Sequence, residues 1–178
     1  MFKKIVIVSA ILASSSVAFA SASPYVGAAL GVNTLTSTSG SNYRGVPVDL
    51  FAGYGATVNT NLYLGGEVFV TPFTGTLSKS ASSTGNPRTT YGYGASIMPG
   101  MMFSDHTLGY IRVGIVRSHF STIGQSKTGG QLGLGMQTNL TPDIDLRTEY
   151  VYSAYSNVST SKSPKSDAFK LGLIYKFE

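Results

Sequence analysis

From Ala168 to Phe177 the chain alternates strictly, with Phe169, Leu171, Leu173, Tyr175 and Phe177 at every second position and Lys170, Gly172 and Lys176 among the residues between them. Successive side chains of a β-strand point to opposite faces, so this segment predicts a strand with one wholly apolar face, aromatic at both ends. The same period of two recurs upstream. It predicts strands over Pro24–Asn33, Pro47–Val58, Leu62–Val70, Thr89–Phe103, Leu108–His119, Gly129–Asn139 and Ile144–Tyr155. Val26, Ala28, Leu30 and Val32 share a face of the first; Leu50, Ala52, Tyr54 and Ala56 share a face of the second.

The connections alternate as the side chains do. Short turns are expected near residues 60, 105 and 141, and longer segments rich in Ser, Thr, Gly, Asn and Lys at about 34–46, 72–88, 118–128 and 156–166. Eight strands with short turns at one end and longer polar loops at the other fit a barrel that crosses an outer membrane. The expected fold is therefore all-β, an eight-stranded antiparallel up-and-down transmembrane β-barrel. Both termini then lie at the short-turn, periplasmic end, with the loops extracellular. A secreted β-sandwich would not segregate its loop lengths so cleanly. Pro99 is expected to kink the end of the fourth strand, and Pro142 to stop the sixth.

The N-terminus supplies the compartment. Lys3 and Lys4 precede the apolar run Ile5–Ala13, and Ala18-Phe19-Ala20 and Ala20-Ser21-Ala22 both fit a small-x-small cleavage pattern. Residues 1–22 read as a secretory signal peptide cut after Ala20 or Ala22, leaving a barrel domain over 23–178. No later run approaches the ~18 apolar residues of a spanning helix. The chain has no cysteine, which excludes disulfides and thiolate metal sites. Charged residues make up only 12%, well under the share in an ordinary soluble domain.

An eight-stranded barrel is just wide enough inside for side chains to fill it. The inward positions hold Asp49, Glu67, Asp145 and Glu149 against Arg112, Arg147, Lys170 and Lys176. Unpaired buried charges are costly, so these residues are expected to form salt-bridged ladders that plug the lumen. A basic rim is expected at the loop end, from Arg44, Lys79, Arg88, Arg117, Lys127, Lys162 and Lys165 against Asp167 alone. Such a rim suits lipopolysaccharide phosphates or anionic host ligands; nucleic acid is a poor partner at this location.

Catalytic signals are thin. His106 falls in a turn, and His119 adjoins Ser118 on a strand, where neighbours face opposite ways and cannot pair. Gly92-Tyr93-Gly94 alternates within a strand and lacks the following helix of a phosphate site. The expectation is no catalytic, cofactor or metal site.

Three segments resemble a known family. Leu140-Thr141-Pro142-Asp143-Ile144-Asp145-Leu146-Arg147-Thr148-Glu149-Tyr150 is similar to the sixth-to-seventh strand turn of the OmpA-type eight-stranded barrel domain. Leu64-Gly65-Gly66-Glu67-Val68 and Gly109-Tyr110-Ile111-Arg112-Val113-Gly114 resemble its third and fifth strands. OmpX/Ail-type adhesin barrels share the architecture. The resemblance implies that the periplasmic peptidoglycan-binding domain of full-length members is missing. It also implies an interior charge cluster built on Glu67 and Arg147. The family's other partners, a lysine on strand four and a glutamate on strand six, align with Met98 and Gln137, so both charges are lost together. That loss argues against salt-bridge switching of a pore. In the resembled families a near-terminal aromatic strand, here Phe169, Leu171, Leu173, Tyr175 and Phe177, is read by the barrel-assembly machinery, although Glu178 follows where those chains end on the aromatic.

The expected function is that of a monomeric integral outer-membrane protein with a structural role in the envelope and surface loops suited to adhesion or host contact. Its partners would be outer-membrane lipid, lipopolysaccharide, the assembly machinery and host-surface ligands. The alternatives are a narrow pore or transporter for small or hydrophobic solutes and, third, a lipid-modifying enzyme.

Overall fold

The computed structural model describes residues 22–36, 42–58, 61–79, 89–120, 125–155 and 165–177. Eight strands follow in chain order: β1 (Ala22–Thr36), β2 (Asn42–Thr57), β3 (Leu62–Lys79), β4 (Thr89–Ser104), β5 (Thr107–Phe120), β6 (Gln125–Asn139), β7 (Ile144–Tyr155) and β8 (Lys165–Lys176). Each pairs antiparallel with its neighbours, and β1 pairs with β8 to close the barrel. Closure leaves no free edge, so every strand can satisfy its backbone groups within the sheet. That is what hydrocarbon surroundings demand.

Alternation decides the two surfaces. Leu30, Val68, Ile97, Ile115, Leu134 and Leu173 are exposed on the outside, in the middle of their strands. Outward rings gather towards the two ends. Tyr54, Phe103, Tyr175 and Phe177 lie near the short-turn end, and Phe73, Tyr91, Tyr93 and Phe169 near the other. An apolar band between two aromatic girdles is how a barrel wall meets a bilayer. All five residues of the expected aromatic face of β8 are exposed there. The signal peptide expected over residues 1–22 lies outside the described residues, apart from Ala22, which opens β1.

Several boundaries differ from the sequence expectation. The strands extend well into the segments expected as long loops, so the intervening stretches shrink to 37–41, 80–88, 121–124 and 156–164. The physical reason is solvent. Beyond the bilayer the outward residues meet water and are polar like the inward ones, so the period of two vanishes while backbone pairing continues. Thr34 still pairs with Arg44, and Ser118 with Lys127. Pro72, in a segment expected as a long loop, lies within β3 at a register irregularity opposite Asp49, where a missing donor is tolerated. β4 continues through Pro99 to Ser104. The β4–β5 pairing omits Met98 and Pro99 and resumes at Gly100–Tyr110 in unchanged register, while Pro99 stays paired with Leu64. Ala56, expected on the lipid face, is buried.

The core is the lumen. It holds Tyr25, Phe51, Phe69, Met98, Leu108, Tyr110, Val116, Tyr155 and Ile174 together with the buried charges. Glycines on the inner wall make room for the large rings. A Cβ on Gly53 would collide with the phenol of Tyr25, and one on Gly135 with that of Tyr110.

Candidate functional site

The inward-facing charges converge in the middle of the barrel. Glu67, on β3, is almost wholly buried and accepts from three directions. Arg112 Nη2 lies 2.5 Å from its Oε1, Arg147 Nη1 lies 2.5 Å from its Oε2, and the Tyr25 hydroxyl donates to Oε2 at 3.0 Å. Glu149, on β7, accepts from Arg112 Nε at 2.5 Å and from the Tyr110 hydroxyl at 3.0 Å. Arg112 completes its fork by donating to Ser96 Oγ at 2.6 Å. One guanidinium thus bridges two carboxylates that sit on strands facing each other across the lumen.

Arg147 is the second hub. Its Nη2 donates to Gln137 Oε1 at 3.0 Å, and its guanidinium lies 4.8 Å from the Phe51 ring centroid and 5.4 Å from those of Tyr25 and Tyr110. Its Nε has no hydrogen-bond partner, and the surrounding ring faces are the electron-rich surfaces it meets instead. Two satellite pairs flank this centre. Lys170 Nζ lies 2.5 Å from Asp49 Oδ2, with Thr71 donating to Asp49 Oδ1. Lys176 Nζ lies 2.9 Å from Asp145 Oδ1, with Gln137 Nε2 donating to Asp145 Oδ2 at 2.6 Å.

Every acid of the inward set therefore has a cation. Leaving one of these groups unpaired in a water-poor interior would cost several kcal/mol, which accounts for the density of cross-links. Met98 and Ile174 are each only 1% exposed and line the interior among these charges with no polar group of their own to hydrate a path. Gln137, at the position where the resembled family has a glutamate, binds both Arg147 and Asp145 through its amide.

Above the Asp49–Lys170 pair, towards the loop end, the lumen becomes polar. A narrow cavity of about 50 Å³ is lined by Asn33, Thr74, Ser118, Gln131, Ser153 and Ser166, among others. Asn33 Oδ1 and Gln131 Oε1 are buried there without a hydrogen-bond partner. A volume of that size suits about three to five waters and no larger solute.

Among the described residues, the cations expected at the basic rim divide between the two faces of the wall. Arg44, Arg117 and Lys165 are exposed on the outer face, whereas Lys127 pairs opposite the buried Ser118 on the inner face. Lys79 closes β3, and Arg88 and Lys162 lie outside the described residues. Ser118 and His119 point apart: Ser118 Oγ lies 3.2 Å from the Tyr155 hydroxyl, and His119 Nδ1 lies 3.2 Å from Ser126 Oγ while stacking on Tyr91. His106 sits exposed in the β4–β5 turn.

Sequence reasoning missed Tyr25, Tyr110, Ser96 and Thr71 as members of the network. For Tyr25, Tyr110 and Ser96 the signal was present as parity, since each shares an inward face with a residue already placed there. Thr71 keeps the parity of Glu67 and Phe69 but falls just past Val70, where the third strand was expected to end.

Comparison with known proteins agrees with this architecture. Neisserial surface protein A is 22% identical, with a TM-score of 0.63 over 88% of this chain and 99% of that one. Ail, the attachment invasion locus protein of Yersinia pestis, is 20% identical, with a TM-score of 0.54 over 88% of this chain and 97% of that one. A search of curated proteins by sequence gave no match. The model of the outer membrane protein beta-barrel domain matches residues 5–177, and the chain belongs to that family of bacterial outer-membrane barrels.

Proposed function

We propose that this protein is a closed, non-enzymatic barrel that contributes to the integrity of the outer membrane and presents its long-connection end to the exterior. One observation carries the reading: the lumen is spanned by a continuous set of bonds from Tyr25 through Glu67 and Arg112 to Glu149 and Tyr110. A conducting path would have to break several of these at once. The termini are then periplasmic, the protein acts as a monomer, and the barrel-assembly machinery reads the exposed face of β8.

The basic outer rim extends this reading to anionic partners, namely lipopolysaccharide and sulfated or acidic host ligands. A barrel of the same fold, the Ail of Yersinia pestis, has been solved in complex with the heparin analogue sucrose octasulfate. Here the exposed cations Arg44, Arg117 and Lys165 would supply the complementary charge.

Planar-bilayer recording tests the closed lumen. The expected outcome is no steady conductance; steady channels abolished by Glu67→Ala or Arg147→Ala would overturn it. Binding of heparin or host cells should require intact loops, and equal binding by loop-trimmed protein would remove the adhesive extension. Heat-modifiable gel migration from purified outer membranes checks fold and location together. Lipid hydrolysis dependent on His119 or Ser126 would overturn the non-enzyme reading. That pair lacks an orienting carboxylate, since β4, β5 and β6 contain no acidic residue.

A further inference from the structure

The outward positions of β5 read Ile111, Val113, Ile115, Arg117 and His119. Ile115 is 64% exposed and faces lipid, and a step of two residues, about 7 Å along the strand, leads to Arg117. Arg117 is paired directly opposite Tyr93 of β4 and Thr128 of β6, and His119 opposite Tyr91 and Ser126. His119 is fixed in place, stacked on Tyr91 with ring centroids 5.0 Å apart and planes at 10°, its Nδ1 3.2 Å from Ser126 Oγ. Immediately below Arg117 the outer wall carries a shallow, open depression. A groove of about 340 Å³ is lined by Ala95, Ile97, Val113 and Ile115 over Ser96 and Gly114. Ala95, with only a methyl group, stands opposite Ile115 there.

We propose that this patch seats one phosphorylated lipid of the outer leaflet, its phosphate on Arg117 and an acyl chain in the groove beneath. From Thr89 to Asn139 the single acidic residue is Asp105, in the turn at the far end of β4 and β5. Arg117 therefore has no carboxylate on its own strand or on either neighbour. A cation at the edge of hydrocarbon gains most from an anion that its fork can bind through two nitrogens, and a phosphate meets that geometry. Tyr93 and Thr128 flank Arg117, and Tyr91 and Ser126 flank His119 one step further along, so hydroxyl-bearing side chains stand on both neighbouring strands for the remaining oxygens and a sugar headgroup. Two other described rim cations, Lys165 and Lys127, lack this combination. Lys165 shares its face with Asp167, and Lys127 faces inward. The assignment of leaflet rests on the proposed orientation with loops outside, so the lipid is the phosphorylated glucosamine lipid rather than phosphatidylglycerol.

The test uses the folded full barrel in phosphatidylcholine nanodiscs doped with bisphosphorylated lipid A. Native mass spectrometry counts the lipid retained. Wild type should retain one lipid A per barrel, and Arg117→Gln should lower that retention about tenfold. Ala95→Trp, which fills the groove, should lower it comparably, whereas Lys127→Gln should leave it unchanged. Heat-modifiable migration confirms that each variant is folded before it is scored. Equal retention by wild type and Arg117→Gln, an equal loss with Lys127→Gln, or a preference for phosphatidylglycerol over lipid A would each overturn the proposal. Protease access to the loops on intact cells and bilayer conductance report separately on the orientation and the closed lumen, and Arg117→Gln should change neither.

Discussion

Glu67 on β3 and Arg147 on β7, 80 residues apart in sequence, meet inside the barrel with Arg147 Nη1 2.5 Å from Glu67 Oε2. The contact joins strands that are not neighbours in the sheet, so it ties the wall across its diameter.

Removing the carboxylate should be costly. Glu67→Ala leaves two guanidiniums without their shared partner, and breaking a buried pair from one side costs about 3–5 kcal/mol. The midpoint of urea unfolding, followed by the folded and unfolded gel bands, should fall accordingly. Replacing Glu67 and Arg147 together by Leu and Met should cost less than Glu67→Ala alone, because Arg112 keeps Glu149. A single variant as stable as wild type would show that the network adds nothing.

Room for the tyrosines is a second testable requirement. Gly53→Ala would drive a methyl group into the Tyr25 ring, and overpacking of this kind costs about 1–3 kcal/mol. A Cβ on Gly66, on the outer face of the neighbouring strand, meets nothing within 4 Å. Gly66→Ala should therefore be near neutral, and equal effects at the two positions would sink the explanation.

Depth in the bilayer should be readable by charge. Leu134 is 63% exposed in the middle of β6, and arginine there should destabilise by about 2–4 kcal/mol, against ~0–1 at Thr34 near the far end of β1. Refolding into vesicles under urea titration measures both. Similar costs would mean that Leu134 does not face hydrocarbon.

The C-terminal aromatic face can be dissected by truncation. Phe177 packs edge-on against Tyr175 at 5.1 Å, and its backbone nitrogen donates to Pro24 at the closing seam. Deleting Phe177 with Glu178 should reduce folded protein in cells severalfold, while deleting Glu178 alone should not. Equal yields would separate Phe177 from assembly.

The strands were legible because lipid and lumen impose opposite demands on alternate residues. Within the bilayer Leu30, Val68 and Leu134 could only face out, and Glu67, Arg112 and Arg147 could only face in. Their far ends were not legible, since around Thr34, Ser118 and Lys127 inward and outward residues are both polar and no alternation of hydrophobicity survives. Pro99 interrupts the ladder to β5 and keeps its pairing with β3, because a missing donor matters only on the side where the ladder needs it, and pairing partners are a property of the closed sheet.

Alternation along the chain by itself determined that the protein is a barrel, which face of each strand meets lipid, and that the interior holds matched acids and bases. Only the tertiary structure decided which acid meets which base, that Tyr25 and Tyr110 complete the glutamate cradles, and that Arg117 stands above an apolar groove without a carboxylate. The period of two is a local property of each strand. Partnership across a lumen, or between three adjacent strands on its outer wall, depends on closure and register, which bring together residues as distant as Glu67 and Arg147.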